Sequence, residues 1–443
     1  MARHNNGKSK TSPATAGAQL NRRTLLRGSA TAALLAAAKT LVPGGANVAW
    51  AAGPETNKAA LGYIALTDSA PLIIAKEKGL YAKYGMPNVD VLKQASWGAT
   101  RDNLVLGSAS NGIDGAHILS PLPYLMTAGK VTQNNIPVPM SVLARLNFDC
   151  QGISVAKEYA DLKLGTDSSA LKEAFAKKRA AGKEVKVAVT FPGGTHDLWM
   201  RYWLAAGGID PDKDVATIVV PPPQMVANMK VGTMDAFCVG EPWNEQLVHQ
   251  DIGFTACTTG ELWFRHPEKA LGMRTDWVET NPKSAEALLM AVMEAQQWCD
   301  KPENKVEMAE ILGRRQWFNV PPDDVIGRLK GDINYGRGRI ERGTKLFMKF
   351  WEDGTVSYPF KSHDAWFVTE GMRWGKFDPA TDVRSLVDKV NREDIWREAA
   401  KSLGVSAPGS TSRGLETFFD GKVFDPDNPT AYLASLAIKR MAA

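Results

Sequence analysis

The sequence predicts an α/β fold of two lobes, with parallel-rich sheets, crossover helices and a helical C-terminal extension. Three observations carry this reading. Short apolar runs alternate with helical stretches of about ten residues after the first fifty or so positions, and the alternation restarts near Lys186. Beyond Asn281 strand signals give way to helical spacing, as in Ser284 to Cys299. With 443 residues, 44% hydrophobic and 23% charged, the chain has globular composition and the length of two or three domains.

Residues 1–51 read as an address. They hold seven Lys and Arg and no acid, and Asn21-Arg22-Arg23-Thr24-Leu25-Leu26-Arg27 forms a twin-arginine pattern. Gly28 to Val42, interrupted by Lys39, is too short and polar for a membrane span of ~20 residues, and Ala49-Trp50-Ala51 has the small-residue form that a signal peptidase cuts. A basic tail ahead of an amphipathic helix is the alternative. Export by the twin-arginine route delivers a folded cargo across a bacterial inner membrane, so the mature chain is expected to begin near Ala52 in the periplasm. The four cysteines, Cys150, Cys238, Cys257 and Cys299, all lie later, so none follows the cut to take a lipid anchor. They are too sparse for a disulfide framework and fit no zinc spacing, which leaves buried small hydrophobes. Without residues 1–51 there are 46 bases against 48 acids, and nothing pulls the body toward nucleic acid.

Ala59 to Leu66 reads as a strand, Thr67-Asp68-Ser69 as cap residues, and Pro71 to Lys78 as a helix stopped by Gly79. Val89 to Lys93 is a second strand, after which Ser96 caps a helix from Trp97 toward Leu106. Gly112 to Ala116 reads as a short strand end. The second group runs from the strand Lys186 to Thr190, through a helix from His196 to Ala206 ended by Gly207-Gly208, to strands at Ala216 to Val220 and Met234 to Val239, with a helix at Met225 to Lys230 between them. Two such groups imply two lobes.

The sequence has no phosphate-binding loop, dinucleotide fingerprint, nucleophile elbow or zinc-binding helix. His117, His196, His249, His266 and His363 lack metal-ligand spacing, and no metal or cofactor is expected. Three strand ends suit a small anion, because helix N-termini there present free N–H groups and a positive dipole end. They are Ser96-Trp97-Gly98, Gly193-Gly194-Thr195-His196 and Val239-Gly240-Glu241-Pro242. Trp97 either offers its indole N–H or walls the core; His196 either donates one N–H or lies on the surface. These groups bind without reacting, since no nucleophile stands beside a base.

Asp68-Ser69-Ala70-Pro71-Leu72, Ser96-Trp97-Gly98, Gly193-Gly194-Thr195-His196-Asp197, Glu241-Pro242-Trp243-Asn244, His266-Pro267-Glu268-Lys269 and Tyr358-Pro359-Phe360-Lys361-Ser362-His363-Asp364-Ala365-Trp366-Phe367 carry a resemblance over essentially the whole mature chain. The sequence resembles the nitrate/nitrite-binding and bicarbonate-binding proteins of bacterial ABC importers; its first block is shared with the wider sulfonate- and taurine-binding group. The resemblance implies a type II-like periplasmic binding fold, with lobe I at 52–149 plus about 265–443 and lobe II at 150–264. It implies an anion pocket of Trp97, Gln151, His196, Gly240 and Lys269, and a monomer that delivers nitrate, with nitrite as a second ligand, to an inner-membrane permease. Lys269 separates the relatives, because bicarbonate binders carry an acidic residue near this position together with calcium. A pocket made wholly of donors around one fixed ammonium is therefore expected, since nitrate has no proton to give. The competing readings are a bicarbonate-binding protein, a nitrate sensor partnering a regulator, and a thiamine-precursor-type enzyme on the same fold.

Overall fold

The computed structural model describes residues 53–440, so the export segment and its cleavage point lie outside the described residues. Ten strands form two mixed five-stranded sheets. In the first, β1 (Lys58–Tyr63), β2 (Asn88–Lys93) and β3 (Gly115–Leu119) run parallel, β10 (Pro267–Arg274) pairs antiparallel with β3, and β4 (Met140–Phe148) pairs with β10, in the order β2-β1-β3-β10-β4. The second repeats this plan as β7-β6-β8-β5-β9. Here β6 (Lys186–Val189), β7 (Ala216–Val219) and β8 (Ala236–Gly240) are parallel, and β5 (Gln151–Ala156) lies antiparallel between β8 and β9 (Gly253–Thr258). The chain passes from the first sheet to the second between Phe148 and Gln151 and returns between Thr258 and Pro267.

The parallel strands and their helices fall where hydrophobic periodicity places them. Helix α1 (Ala70–Glu77) ends at Gly79, whose φ of 68° is the left-handed turn that a glycine adopts without a Cβ clash. Ser96 caps α2 (Trp97–Leu106) by accepting the Ala99 N–H at 3.1 Å, whereas Thr67-Asp68-Ser69 does not cap α1: Ser69 Oγ instead donates to Leu66 O at 2.8 Å. The expected strand at Gly112 to Ala116 starts three residues later. A Cβ on Gly112 would lie 2.2 Å from Asn103 O, so this glycine turns the chain tightly under α2 before β3 begins. Helix α3 (Thr195–Ala206) is buried through its first eleven residues, and α4 (Trp243–His249) follows β8.

Past Asn281 the chain is mainly helical. α5 (Pro282–Asp300) packs on α1, and its Gln296 amide donates to Arg145 O, Leu146 O and Phe350 O, each at 2.9 Å. α6 (Lys361–Arg373) touches both halves of the molecule. Its Asp364 pairs with buried Arg145 of β4, while its Trp366 stacks on Trp199 of α3 with ring centroids 5.0 Å apart. Phe367, Trp374, Phe418, Phe424 and Tyr432 complete that aromatic core over the second sheet. The four cysteines are free and buried, as expected for small hydrophobes. Among the described residues no helix is long and apolar enough to cross a membrane.

Candidate functional site

The ends of the parallel strands converge on one enclosed spot. Trp97 opens α2 after β2, His196 is the second residue of α3 after β6, and Gly240 closes β8. Gln151, the first residue of β5, stands directly opposite Gly240 in the ladder. Lys269 enters from β10, opposite Leu119 of β3. Trp97, His196 and Lys269 are 0% exposed and Gln151 is 1% exposed. Trp97, His196, Gly240 and Lys269 thus lie around one charged cluster, while Gln151 is brought beside them only as the ladder partner of Gly240.

That cluster contains more than the sequence suggested. Lys269 Nζ lies 3.0 Å from Asp68 Oδ2 and also pairs with Glu268, and Asp68 Oδ1 lies 2.5 Å from His117 Nε2. His266 Nδ1 is 3.1 Å from Glu268 Oε2, and His196 Nε2 is 3.9 Å from Glu268 Oε1. Every one of these side chains is fully buried. The expectation of a pocket made wholly of donors is therefore corrected: two carboxylates flank the one ammonium, since a buried lysine needs counter-charges to remain ionised.

Strand alternation alone puts neighbouring side chains on opposite faces, yet Glu268 and Lys269 both reach the site. Register shifts on either side of Lys269 in the β10–β4 pairing re-aim the strand there. Gly240 leaves room on the other wall: a Cβ on it would come 3.3 Å from both Asp68 Oδ2 and Leu66 Cδ2.

The charges hold one another in place. Burial pushes Asp68 up, but the Lys269 ammonium and the His117 ring outweigh it and keep the carboxyl well below its usual range. Burial raises Glu268 too, and Lys269 with His266 brings it below its ordinary value. Lys269 is pulled down by burial and driven up further by Asp68 and Glu268, so it stays an ammonium. Burial, reinforced by Lys269, lowers His196 to about 3, and burial also leaves His117 and His266 below their usual value despite their carboxylate neighbours.

Several buried polar atoms here have no protein partner. Trp97 Nε1, both ends of the Gln151 amide, His196 Nε2 and Thr67 Oγ1 are among them, as are His117 Nδ1, His266 Nδ1, Asp68 Oδ2 and Glu268 Oε2, which make no hydrogen bond although charged neighbours lie close. Buried polar groups are usually hydrogen-bonded, so these atoms could receive a small polar guest or water. The sequence alone does not mark Asp68, His117 and Glu268 as members of this cluster. Asp68 stood in a cap-like triplet, and Glu268 sat one position out of phase with Lys269. Among the described residues no cluster of His, Cys, Asp and Glu is arranged to hold a metal ion.

A polar site enclosed between two such sheets is the architecture of the two-lobed periplasmic binding proteins. Residues 52–313 match the NMT1-like family, and the chain belongs to that family. It is 64% identical over 394 residues to the nitrate/nitrite binding protein NrtA of Synechocystis sp., an alignment covering 88% of this chain and 87% of that one. It is 45% identical over 397 residues to the bicarbonate-binding protein CmpA of Synechococcus elongatus, covering 87% of this chain and 88% of the relative. The crystal structure of the periplasmic nitrate-binding protein NrtA from Synechocystis superposes with a TM-score of 0.85 at 63% identity, covering 87% of this chain and 100% of that one.

Proposed function

We propose that this chain is a periplasmic solute-binding protein that captures nitrate, with nitrite as a second ligand, between two hinged lobes and delivers it to an ABC importer. In this reading it is a monomer without catalytic activity, exported by the twin-arginine route, and the lobes meet where the chain crosses between the sheets. Trp97, Gln151, His196, Gly240 and Lys269 form the anion pocket. The observation that carries the reading is the set of unpartnered donors, Trp97 Nε1, the Gln151 amide and His196 Nε2, gathered around a buried ammonium. The higher identity to a nitrate/nitrite binder than to a bicarbonate binder supports the same choice.

Nitrate is a planar, weakly basic anion that donates no hydrogen bond, and donors with one fixed cation suit it. Four or five charge-assisted hydrogen bonds at ~1.5–3 kcal/mol each, less dehydration and lobe closure, reach the ~8 kcal/mol of a micromolar complex. Asp68 and Glu268 give the bicarbonate reading its one foothold, because an O–H needs an acceptor. Titration calorimetry against nitrate, nitrite, and bicarbonate with and without calcium tests the two readings. Nitrate binding in the micromolar range with no bicarbonate heat is expected; calcium-dependent bicarbonate binding without nitrate binding refutes the nitrate reading.

A further inference from the structure

The charge inside the closed site does not balance for an anion. Two carboxylates, Asp68 and Glu268, face a single ammonium, Lys269, and all three are 0% exposed. Seating a monoanion among them leaves two uncompensated negative charges in a buried interior, which is a costly state that proteins relieve by taking up a proton. We propose that the ligand of this site is an anion together with one proton, and that the proton is held on His196. This inference rests on the nitrate reading above and extends it.

Hydrogen-bond geometry selects the carrier. His266 Nε2 accepts from the Trp199 indole N–H at 2.8 Å, so a proton there would break that bond. His117 already uses Nε2 toward Asp68, and its Nδ1 is buried without a partner, so protonation would create an orphaned N–H. Glu268 receives Lys269 and the Thr195 hydroxyl on one oxygen and faces His266 on the other, and Asp68 lies between His117 and Lys269. A proton on Asp68 Oδ2 would point at the Lys269 ammonium 3.0 Å away, and one on Glu268 Oε2 at His266 Nδ1 3.1 Å away. His196 differs from all of these. Its Nδ1 is 2.6 Å from Thr190 Oγ1, a hydroxyl that accepts as readily as it donates, and its Nε2 is buried without a partner among the site's other unpartnered donors. An imidazolium there keeps Thr190 as the acceptor of its Nδ1–H and gains the anion at Nε2.

The charged groups that bear on His196 divide. Lys269 of β10 and His266 from the segment before β10 oppose a proton there, whereas Glu268 of β10 and Asp68 from the turn after β1 favour one. Asp197, its neighbour on α3, is occupied by Arg201 at 2.7 Å and Lys376 at 3.6 Å. The Cys238 thiol on β8 is kept protonated by burial. In the empty site burial and Lys269 keep the ring neutral; an arriving anion supplies the negative charge that reverses the balance.

The test is titration calorimetry of the purified protein with nitrate at equal pH in Hepes and in Tris, whose ionisation enthalpies differ. Uptake of about one proton per nitrate is expected. Affinity should weaken up to tenfold per pH unit on the alkaline side. Equal heats in the two buffers, with nitrate bound, overturn this inference and leave the nitrate reading standing; no nitrate heat at any pH overturns that reading instead. His196→Gln keeps an amide donor but cannot titrate, so nitrate binding should persist more weakly with no proton uptake. Uptake that survives in this variant refutes the assignment to His196. Because a buried substitution can unfold the chain, nitrogen NMR of labelled histidine in the unaltered protein gives a second measure. The His196 ring should move to the imidazolium signature on adding nitrate, and an unchanged neutral signature overturns the proposal.

Discussion

Replacing Lys269 by Gln is the sharpest perturbation of this site, because it leaves a shorter side chain that still donates while deleting the ammonium between two buried carboxylates. Asp68 Oδ2, 3.0 Å from Nζ, and Glu268 would then face each other without a cation. One charge-assisted hydrogen bond to the anion is lost, worth ~1.5–3 kcal/mol. The exposed repulsion between the two carboxylates and the anion adds to this, so a total near ~3 kcal/mol, or a loss of about a hundredfold in affinity, is expected. The empty protein should lose stability as well, by up to ~3–5 kcal/mol, the usual cost of removing one partner from a buried charge cluster. Calorimetry with nitrate measures the first effect and denaturant unfolding without ligand the second. Nitrate affinity within about threefold of the unaltered protein would refute the placement of Lys269 at the anion. Unchanged stability would refute the argument that Asp68 and Glu268 depend on it.

Other outcomes follow from the same geometry. Trp97→Phe keeps a buried ring over His117 but removes an N–H that has no protein partner, so nitrate affinity should fall by ~1.5–3 kcal/mol while the melting temperature of the empty protein changes little. Trp366→Ala removes a ring from the stack on Trp199 and should cost ~3–5 kcal/mol of folding stability by denaturant unfolding. Glu241 is pushed up to about 7 by burial, against the pull of Arg328. Between pH ~5 and ~7 the folded chain therefore keeps a proton that the unfolded chain has released, so stability falls as pH rises across that window, by ~3 kcal/mol at most. Glu241→Gln should flatten that part of the profile; an identical pH slope in the variant would count against it.

The parallel half of each sheet was legible because its strands are short apolar runs followed by amphipathic helices with recognisable ends. Strands β4, β5, β9 and β10 were not. All nine residues of β4 are buried, which erases the two-residue alternation, and β10 carries Glu268 and Lys269 in its interior, which imitates a loop. The site divides in the same way. Trp97, His196 and Gly240 stand at strand ends and helix starts and were found from spacing, whereas Gln151 and Lys269 came from the family resemblance alone. Asp68, His117 and Glu268 became site residues only in three dimensions. No local pattern announces the register shift that turns two consecutive side chains toward one charged cluster.

Helix α6 is a further tie between the halves, beside the two stretches where the chain itself crosses and the hydrogen bond from Trp243 Nε1 to Ala65 O. Its anchors differ in kind: on one side a charged clasp, Arg145 with Asp364, and on the other an oily seam of stacked rings. A change in the angle between the two sheets would therefore have to slide stacked rings past one another or part a buried ion pair, and the two resist in different ways: the seam along its plane, the clasp along its bond.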